Sequence, residues 1–246
     1  MTAVIITKNE EKNVANCLQS LKGIADEIIV IDSFSTDRTE EICKANGVIF
    51  LQVEWRGYGQ TKNWGNEQAT NDWIISLDAD EELSPKLRES ILELKKTGPQ
   101  NYFYSFNRLT NYCGQWIKHG GWYPDNKVRL FDRRIAKWQG EFVHEHLVFP
   151  ESIKPQLLIG DCNHYSFASI EQHINTVNKY SSLAADEMLA KGRGFSLYKL
   201  IFSPPLTFIK MYFLKAGFMD GIYGLIIAVI SSHYRFLKYA KMRRKM

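Results

Sequence analysis

Two carboxylates one residue apart, at the end of a strand-like run, are the first chemistry this sequence offers. Leu77-Asp78-Ala79-Asp80-Glu81-Glu82 directly follows the apolar stretch 73–77. Alternating carboxylates at a strand tip aim oxygens at one spot, and a hard divalent cation shared with a diphosphate takes oxygen ligands of that kind. The plainer reading is an acidic turn leading into a helix, where negative charge is favoured at the N-terminus. A second run, Val30-Ile31-Asp32-Ser33-Phe34-Ser35-Thr36-Asp37, closes an apolar stretch with a carboxylate. Thr36 and Asp37 suit helix capping. Asp32 stands at the strand tip, where the base or ribose of a ligand could be read. A third cluster, Val143-His144-Glu145-His146, holds a carboxylate between two imidazoles. It lacks the i, i+4 histidine spacing of a zinc-protease helix.

The elements that must position these residues follow a clear rhythm. Short apolar runs at 3–6, 28–31, 48–51 and 73–77 alternate with helix-length segments at 11–21, 37–45 and 60–69. That order predicts βαβ units, a parallel sheet and right-handed crossovers, with functional loops at the carboxyl ends of the strands. Ser84-Pro85 predicts a helix start, a Ser N-cap with Pro in the first turn, running to about Lys96 and ending at Thr97-Gly98-Pro99. Aromatic alternation predicts a strand at 102–109 and a further one at 127–131. Residues 110–126, rich in Gly, Asn, Trp and Tyr, read as a long surface excursion, and 138–150 as a loop with a short strand. From 169 the pattern turns helical, and Gly192-Arg193-Gly194 breaks it.

Composition sets the frame. The chain has 246 residues, 45% apolar and 24% charged, which excludes disorder and collagen-like repeats and gives one large domain or a domain with an appendage. A net charge of +4 is too small an excess for a dedicated nucleic-acid binder, so no nucleic-acid partner is expected. Four widely spaced cysteines, Cys17, Cys43, Cys113 and Cys162, suggest free thiols in a reducing compartment. The opening Met1-Thr2-Ala3-Val4 runs straight into a strand pattern with no basic and apolar leader, so no signal peptide is expected. The longest uncharged run near the C-terminus, 221–234, is shorter than the roughly 20 residues a spanning helix needs.

Taken in order, Val4-Ile5-Ile6-Thr7-Lys8-Asn9-Glu10-Glu11, Asp32 with Ser35-Thr36-Asp37-Arg38-Thr39, the segment 57–63 and Asp78-Ala79-Asp80 resemble family 2 glycosyltransferases of the GT-A fold. His119-Gly120-Gly121-Trp122-Tyr123-Pro124-Asp125, Val128-Arg129-Leu130-Phe131, Val143-His144-Glu145 and Leu214-Lys215-Ala216-Gly217-Phe218-Met219-Asp220-Gly221 are similar to the branch of lipopolysaccharide-core β-1,4-glucosyltransferases. The resemblance covers essentially the whole chain. It implies a donor site in which Thr7 and Asp32 meet the uracil or ribose of a UDP-sugar, Lys62 lies near its phosphates, Asp78 meets the ribose or sugar, Arg129 binds substrate, and Asp80 holds Mg²⁺ or Mn²⁺. His144 and His146 are further candidates for metal or phosphate. Two departures stand out: Lys8 replaces an aromatic residue that stacks on the base in many relatives, and Ser33 replaces a second aspartate after Asp32.

An inverting transfer needs a general base for the acceptor hydroxyl and positive charge for the departing diphosphate. Glu145 is the first choice of base and Asp125 the second; a structural ion pair is the competing role for Glu145. Trp116, Trp122 and Tyr123 suit an acceptor-binding wall for sugar CH faces, or an exposed loop pinned by tryptophan.

The reading is therefore an α/β, GT-A fold, with a mostly parallel sheet flanked by helices over 1–168 and a C-terminal helical, basic, membrane-associating region over 169–246. The expected partners are a nucleotide-sugar donor, a glycolipid or core-oligosaccharide acceptor, and a membrane surface met from the cytoplasmic side. A polyisoprenyl-phosphate glycosyltransferase and a catalytically silent sugar- or partner-binding scaffold are the alternatives.

Overall fold

The computed structural model describes residues 1–140 and 145–245. It divides into two compact units, one of Met1–Arg108 with Asp125–His164 and one of Leu109–Pro124 with Tyr165–Met246. The aromatic segment 109–124 thus groups with the C-terminal helices.

The first unit begins with the expected alternation: β1 (Thr2–Thr7), α1 (Val14–Leu21), β2 (Glu27–Asp32), α2 (Thr39–Ala45), β3 (Ile49–Gln52), α3 (Tyr58–Gln68) and β4 (Trp73–Asp78). Strands β3, β2, β1 and β4 lie side by side and parallel, with Thr7 level with Asp32 and Ile6 level with Asp78. The carboxyl ends carrying Thr7, Asp32 and Asp78 therefore come to one edge. Side chains of β1 alternate between two cores. Ala3 and Ile5 face α1, α2 and the later helix α4 (Pro85–Thr97), while Val4 and Ile6 face α3 and Trp138. Both faces are covered, which is why these strands read as continuous apolar runs. Gly65 lets α3 sit directly on the sheet, since a Cβ there would come within 2.7 Å of Val4.

Beyond β4 the sheet continues with antiparallel pairs. A short β5 (Glu81–Leu83) emerges inside the acidic motif. After α4 come β6 (Phe103–Tyr112), β7 (Gln115–Ile117), β8 (Asn126–Asp132), β9 (Lys137–Gln139), β10 (His146–Val148) and β11 (Gln156–Phe167). β8 pairs antiparallel with β4 and β6, and β5 with β11; β9 and β10 form a separate two-stranded sheet. Ser84 caps α4 as expected, accepting from the Leu87 N–H, with Pro85 in the first turn. The excursion at 110–126 is more ordered than its composition suggests, because residues 110–112 of β6 pair with β7.

In the second unit, α5 (Ile170–Ala190) starts at a Ser169 cap. It is followed by α6 (Leu197–Ile209), a π-helical stretch Lys210–Leu214, a 3₁₀ turn Gly217–Asp220 and α7 (Gly221–Lys245). Tyr112, Ile117 and Ile227 form one small core there, and Ala185, Tyr239 and Met242 another.

Candidate active site

The turns after β1 and β2 are laced together. The Asn9 N–H donates to Ser35 Oγ at 2.8 Å, the Thr36 N–H to Asn9 Oδ1 at 2.8 Å, and the Glu11 N–H to Asp37 Oδ2 at 3.1 Å. Asp32 is fully buried, and its carboxylate accepts from the Ser35 N–H at 2.9 Å, from the Ser35 hydroxyl and from Gln52 Nε2 at 3.1 Å. Asp32 therefore fixes the loop that follows it. At the adjacent strand tips the hydroxyls of Thr7 and Ser33 are buried, with no hydrogen-bond partner among the described residues. Buried hydroxyls rarely stay unpaired, and here they stand at the sheet edge where ligands bind in α/β proteins.

Next to this edge lies a compact charge cluster. Lys62, on α3, is fully buried, with Nζ 3.0 Å from Asp78 Oδ1, 3.2 Å from Glu145 Oε1 and 4.8 Å from the Trp138 ring. Arg129, on β8, sets Nη2 3.1 Å from Asp78 Oδ2 and 3.2 Å from Glu81 Oε1. Glu81 also accepts the Asp78 backbone N–H at 3.0 Å, while Arg108 meets Glu81 at 3.5 Å and Asp125 at 2.9 Å. Burial works to raise the Asp78 pKa, but Lys62 and Arg129 outweigh it and hold the carboxyl well below the usual range. Arg129 Nη1 and Trp138 Nε1 are buried donors with no partner among the described residues. These two unpaired donors could each meet a ligand oxygen.

Asp80 lies two residues after Asp78, and His164 Nε2 is 3.2 Å from its Oδ2. Burial pushes the nearby Glu10 up to about 6, against a hydrogen bond from Asn13; Asp80 and Asp37 add to the rise. No group of three or more His, Cys, Asp or Glu side chains suited to a metal occurs among the described residues. Asp80 with His164 is a sparse donor set. It fits a divalent cation that draws its remaining ligands from substrate phosphates and water.

Asp125 is taken up by Arg108 and by Lys127, whose Nζ is 2.9 Å from Oδ1. His146 is exposed on β10, paired in register with Gln139. His144 lies outside the described residues. Trp122 belongs to the second unit, half-buried, with its ring against Tyr112, Phe167 and His173. Sequence reasoning missed three participants: Glu81, Arg108 and His164. Glu81 reads as one more acid in an acidic run, Arg108 as an ordinary strand-end charge, and His164 as a satisfied polar residue. Only the antiparallel pairing of β5 with β11, which sets His164 level with Glu81, brings His164 to the acidic turn.

The sequence profile of the glycosyl transferase family 2 domain matches residues 2–171. The chain belongs to glycosyltransferase family 2. Its α/β architecture, with the acidic turn at the end of β4, is the GT-A fold expected of that family. This family 2 glycosyltransferase is 35% identical to an uncharacterized glycosyltransferase of Rickettsia typhi, over 99% of this chain and 86% of the relative. It is 32% identical to the lipopolysaccharide core biosynthesis glycosyltransferase LpsC of Rhizobium meliloti, over 100% of this chain and 92% of the relative. Among solved structures, glucosyl-3-phosphoglycerate synthase from Mycobacterium tuberculosis is similar with a TM-score of 0.37 and 22% identity, over 45% of this chain and 43% of that one.

Proposed function

We propose that this family 2 glycosyltransferase moves a hexose, glucose foremost, from a UDP-sugar to a glycolipid or lipopolysaccharide-core acceptor, with inversion at the anomeric carbon. The observation that carries the reading is Lys62, a fully buried cation between the carboxylate that ends β4 and the downstream carboxylate Glu145. The 32% identity with LpsC, a core biosynthesis enzyme, supports the acceptor class.

In this reading Thr7 and Asp32 hold the uracil and ribose end, and Asp78 faces the ribose or sugar. Lys62 and Arg129 balance the diphosphate. Asp80 is the metal ligand, with His164 beside it; His144 and His146 stay candidates for phosphate or metal. A bound Mg²⁺ or Mn²⁺ would neutralise charge on the diphosphate. Glu145 takes the acceptor hydroxyl proton as the new C1–O bond forms. The bond from C1 to the diphosphate breaks, and its electron pair leaves on the phosphate oxygen. Asp125, held by Arg108 and Lys127, is the weaker candidate. A lipid-linked acceptor would bring the enzyme to a membrane surface on the cytoplasmic side.

The test is a thermal-shift panel of UDP-, GDP- and dTDP-sugars with and without Mn²⁺. A ligand at a hundred times its Kd adds about 3 kcal/mol of stability. UDP-glucose with Mn²⁺ is expected to give the largest shift. A panel with no stabilising nucleotide sugar refutes the reading.

A further inference from the structure

The second unit carries an apolar surface that its own packing does not use. No residue of α6 is buried. Leu197, Tyr198, Ile201, Phe202, Leu206 and Ile209 are all exposed, and at helical spacing they cover about half of the helix circumference. Lys199 and Lys210 are exposed at the edge of that face. Beyond Lys210 the chain turns. Phe213, Leu214, Phe218 and Met219, around the turn, are between 52% and 79% exposed. One face of α7 extends the surface through Ile222, Val229 and Phe236, seven residues apart.

The turn is fixed from within the unit. Asp220 accepts from the Lys118 N–H at 3.2 Å, the His119 N–H at 2.8 Å and the His119 ring at 2.9 Å. The Gly120 N–H donates to Lys215 O at 2.9 Å. A Cβ on Gly224 would lie 1.8 Å from Gly217 O, so only glycine allows this approach. The segments Leu197–Leu214 and Gly217–Arg243 meet at a 73° bend, and among the described residues no single helix is long and apolar enough to cross a membrane.

Charge names the occupant. Residues 195–246 hold nine Lys or Arg against the single acid Asp220, in a chain whose whole excess is four. An apolar face edged by lysines, on a segment holding more than all of the net positive charge, complements an anionic lipid surface. A spanning position is disfavoured by α5. Lys241, on α7, ties the two helices together through Asn178, Ser181 and Ser182 at 2.6–2.9 Å. The outer face of α5 carries exposed Glu171, Gln172, Asn175 and Lys179, which hydrocarbon would not accommodate.

We infer that α6 and the turn at 210–220 form a monotopic anchor, lying in the headgroup–acyl boundary of one leaflet of an anionic bilayer with Phe213, Leu214, Phe218 and Met219 inserted. This gives a specific form to the membrane surface of the functional reading, and rests on that part of it.

The test adds the full-length protein to preformed vesicles of phosphatidylcholine, alone or with phosphatidylglycerol, and measures flotation. The wild type should float with the anionic vesicles, less as salt rises, and external protease should leave no protected fragment. Phe213→Ser with Leu214→Ser should lower partition at least about tenfold with an unchanged circular-dichroism melt, and Lys199→Gln with Lys210→Gln should lower the preference for anionic lipid about tenfold. Equal flotation of the serine variant and the wild type overturns the inference. So does a protected fragment covering 197–243, which means a span, or a lipid-independent dimer that the serine variant dissociates, which means a second copy on this face. Flotation needs neither donor nor acceptor. A protein that floats and transfers no sugar refutes the functional reading alone; one that glycosylates a lipid-free acceptor and never floats refutes the anchor alone.

Discussion

Glu81→Gln removes one negative charge from the centre of the site while keeping the side chain's shape. Glu81 is 1% exposed. Its Oε1 faces Arg129 at 3.2 Å and Arg108 at 3.5 Å, and its Oε2 takes the Asp78 N–H at 3.0 Å. Removing one partner of a buried pair costs about 3–5 kcal/mol, because the remaining charge stays desolvated. Here Arg129 keeps Asp78 at 3.1 Å and Arg108 keeps Asp125 at 2.9 Å. The loss therefore falls at the lower end, about 3 kcal/mol. At about 2–4 °C per kcal/mol for a chain of this size, Tm should drop by roughly 6–12 °C. The control is Glu82→Gln on the next residue of β5, whose side chain points to the opposite face. Glu82 is half-buried and accepts from Asn163 Nδ2 at 3.0 Å, so its loss should stay near or below about 1 kcal/mol. Thermal and urea unfolding of the two variants, followed by circular dichroism, makes the comparison. If Glu81→Gln lies within about 0.5 kcal/mol of wild type, or Glu82→Gln loses as much, the cluster is not the buried network described.

Glu145→Gln should cut turnover by about 10² to 10⁴, the share of a general base, with donor affinity near wild type; Asp125→Asn, measured beside it, should be the milder variant, and the reverse pattern moves the base to Asp125. In the second unit, burial lowers the pKa of His173 from 6.5 to about 4. The unfolded chain then takes up a proton that the folded one refuses, so stability is full above about pH 6.5 and lost as pH falls toward 4, by about 3 kcal/mol in all. Urea unfolding at pH 7 and pH 5 should show the wild type losing about 2 kcal/mol more than His173→Phe over that interval; equal losses contradict it. Gly224→Ala should severely destabilise the second unit, because the Cβ has only 1.8 Å to Gly217 O; a wild-type melt would mean that this approach is not a real constraint.

Much of the fold was legible because the first half of the chain obeys local rules. The strands β1, β2 and β4 are buried on both faces and read as apolar runs, and the Ser84-Pro85 start of α4 is purely local chemistry. What escaped depends on distant pairing. β11 holds Gly160, Asp161, Asn163 and His164, poor strand formers that hide its periodicity; Gly160 is there because a Cβ would meet Leu87 N at 2.3 Å. β5 has three residues, two of them acids, and exists because β11 pairs with it. Asp78 and Asp80 were visible at the end of a strand-like run and Lys62 through the family resemblance, whereas Glu81 and Arg108 became meaningful only once Arg129 and Asp125 were set beside them. Trp122, beside Trp116 and Tyr123, reads as part of an aromatic wall for sugar CH faces or as a loop-pinning tryptophan. Its ring neighbours include Tyr112, ten residues away, but also Phe167 and His173, about fifty residues away in sequence, which nothing local announces.

The measurement that tests the central claim most directly is transfer of labelled glucose from UDP-glucose into a core-glycolipid extract by the purified full chain, with Asp80→Asn run in parallel. The account predicts label in the lipid fraction, joined through a β-linkage, dependent on Mg²⁺ or Mn²⁺ and absent for a folded Asp80→Asn protein. Metal-dependent transfer that survives in Asp80→Asn, or an α-linked product, would contradict it.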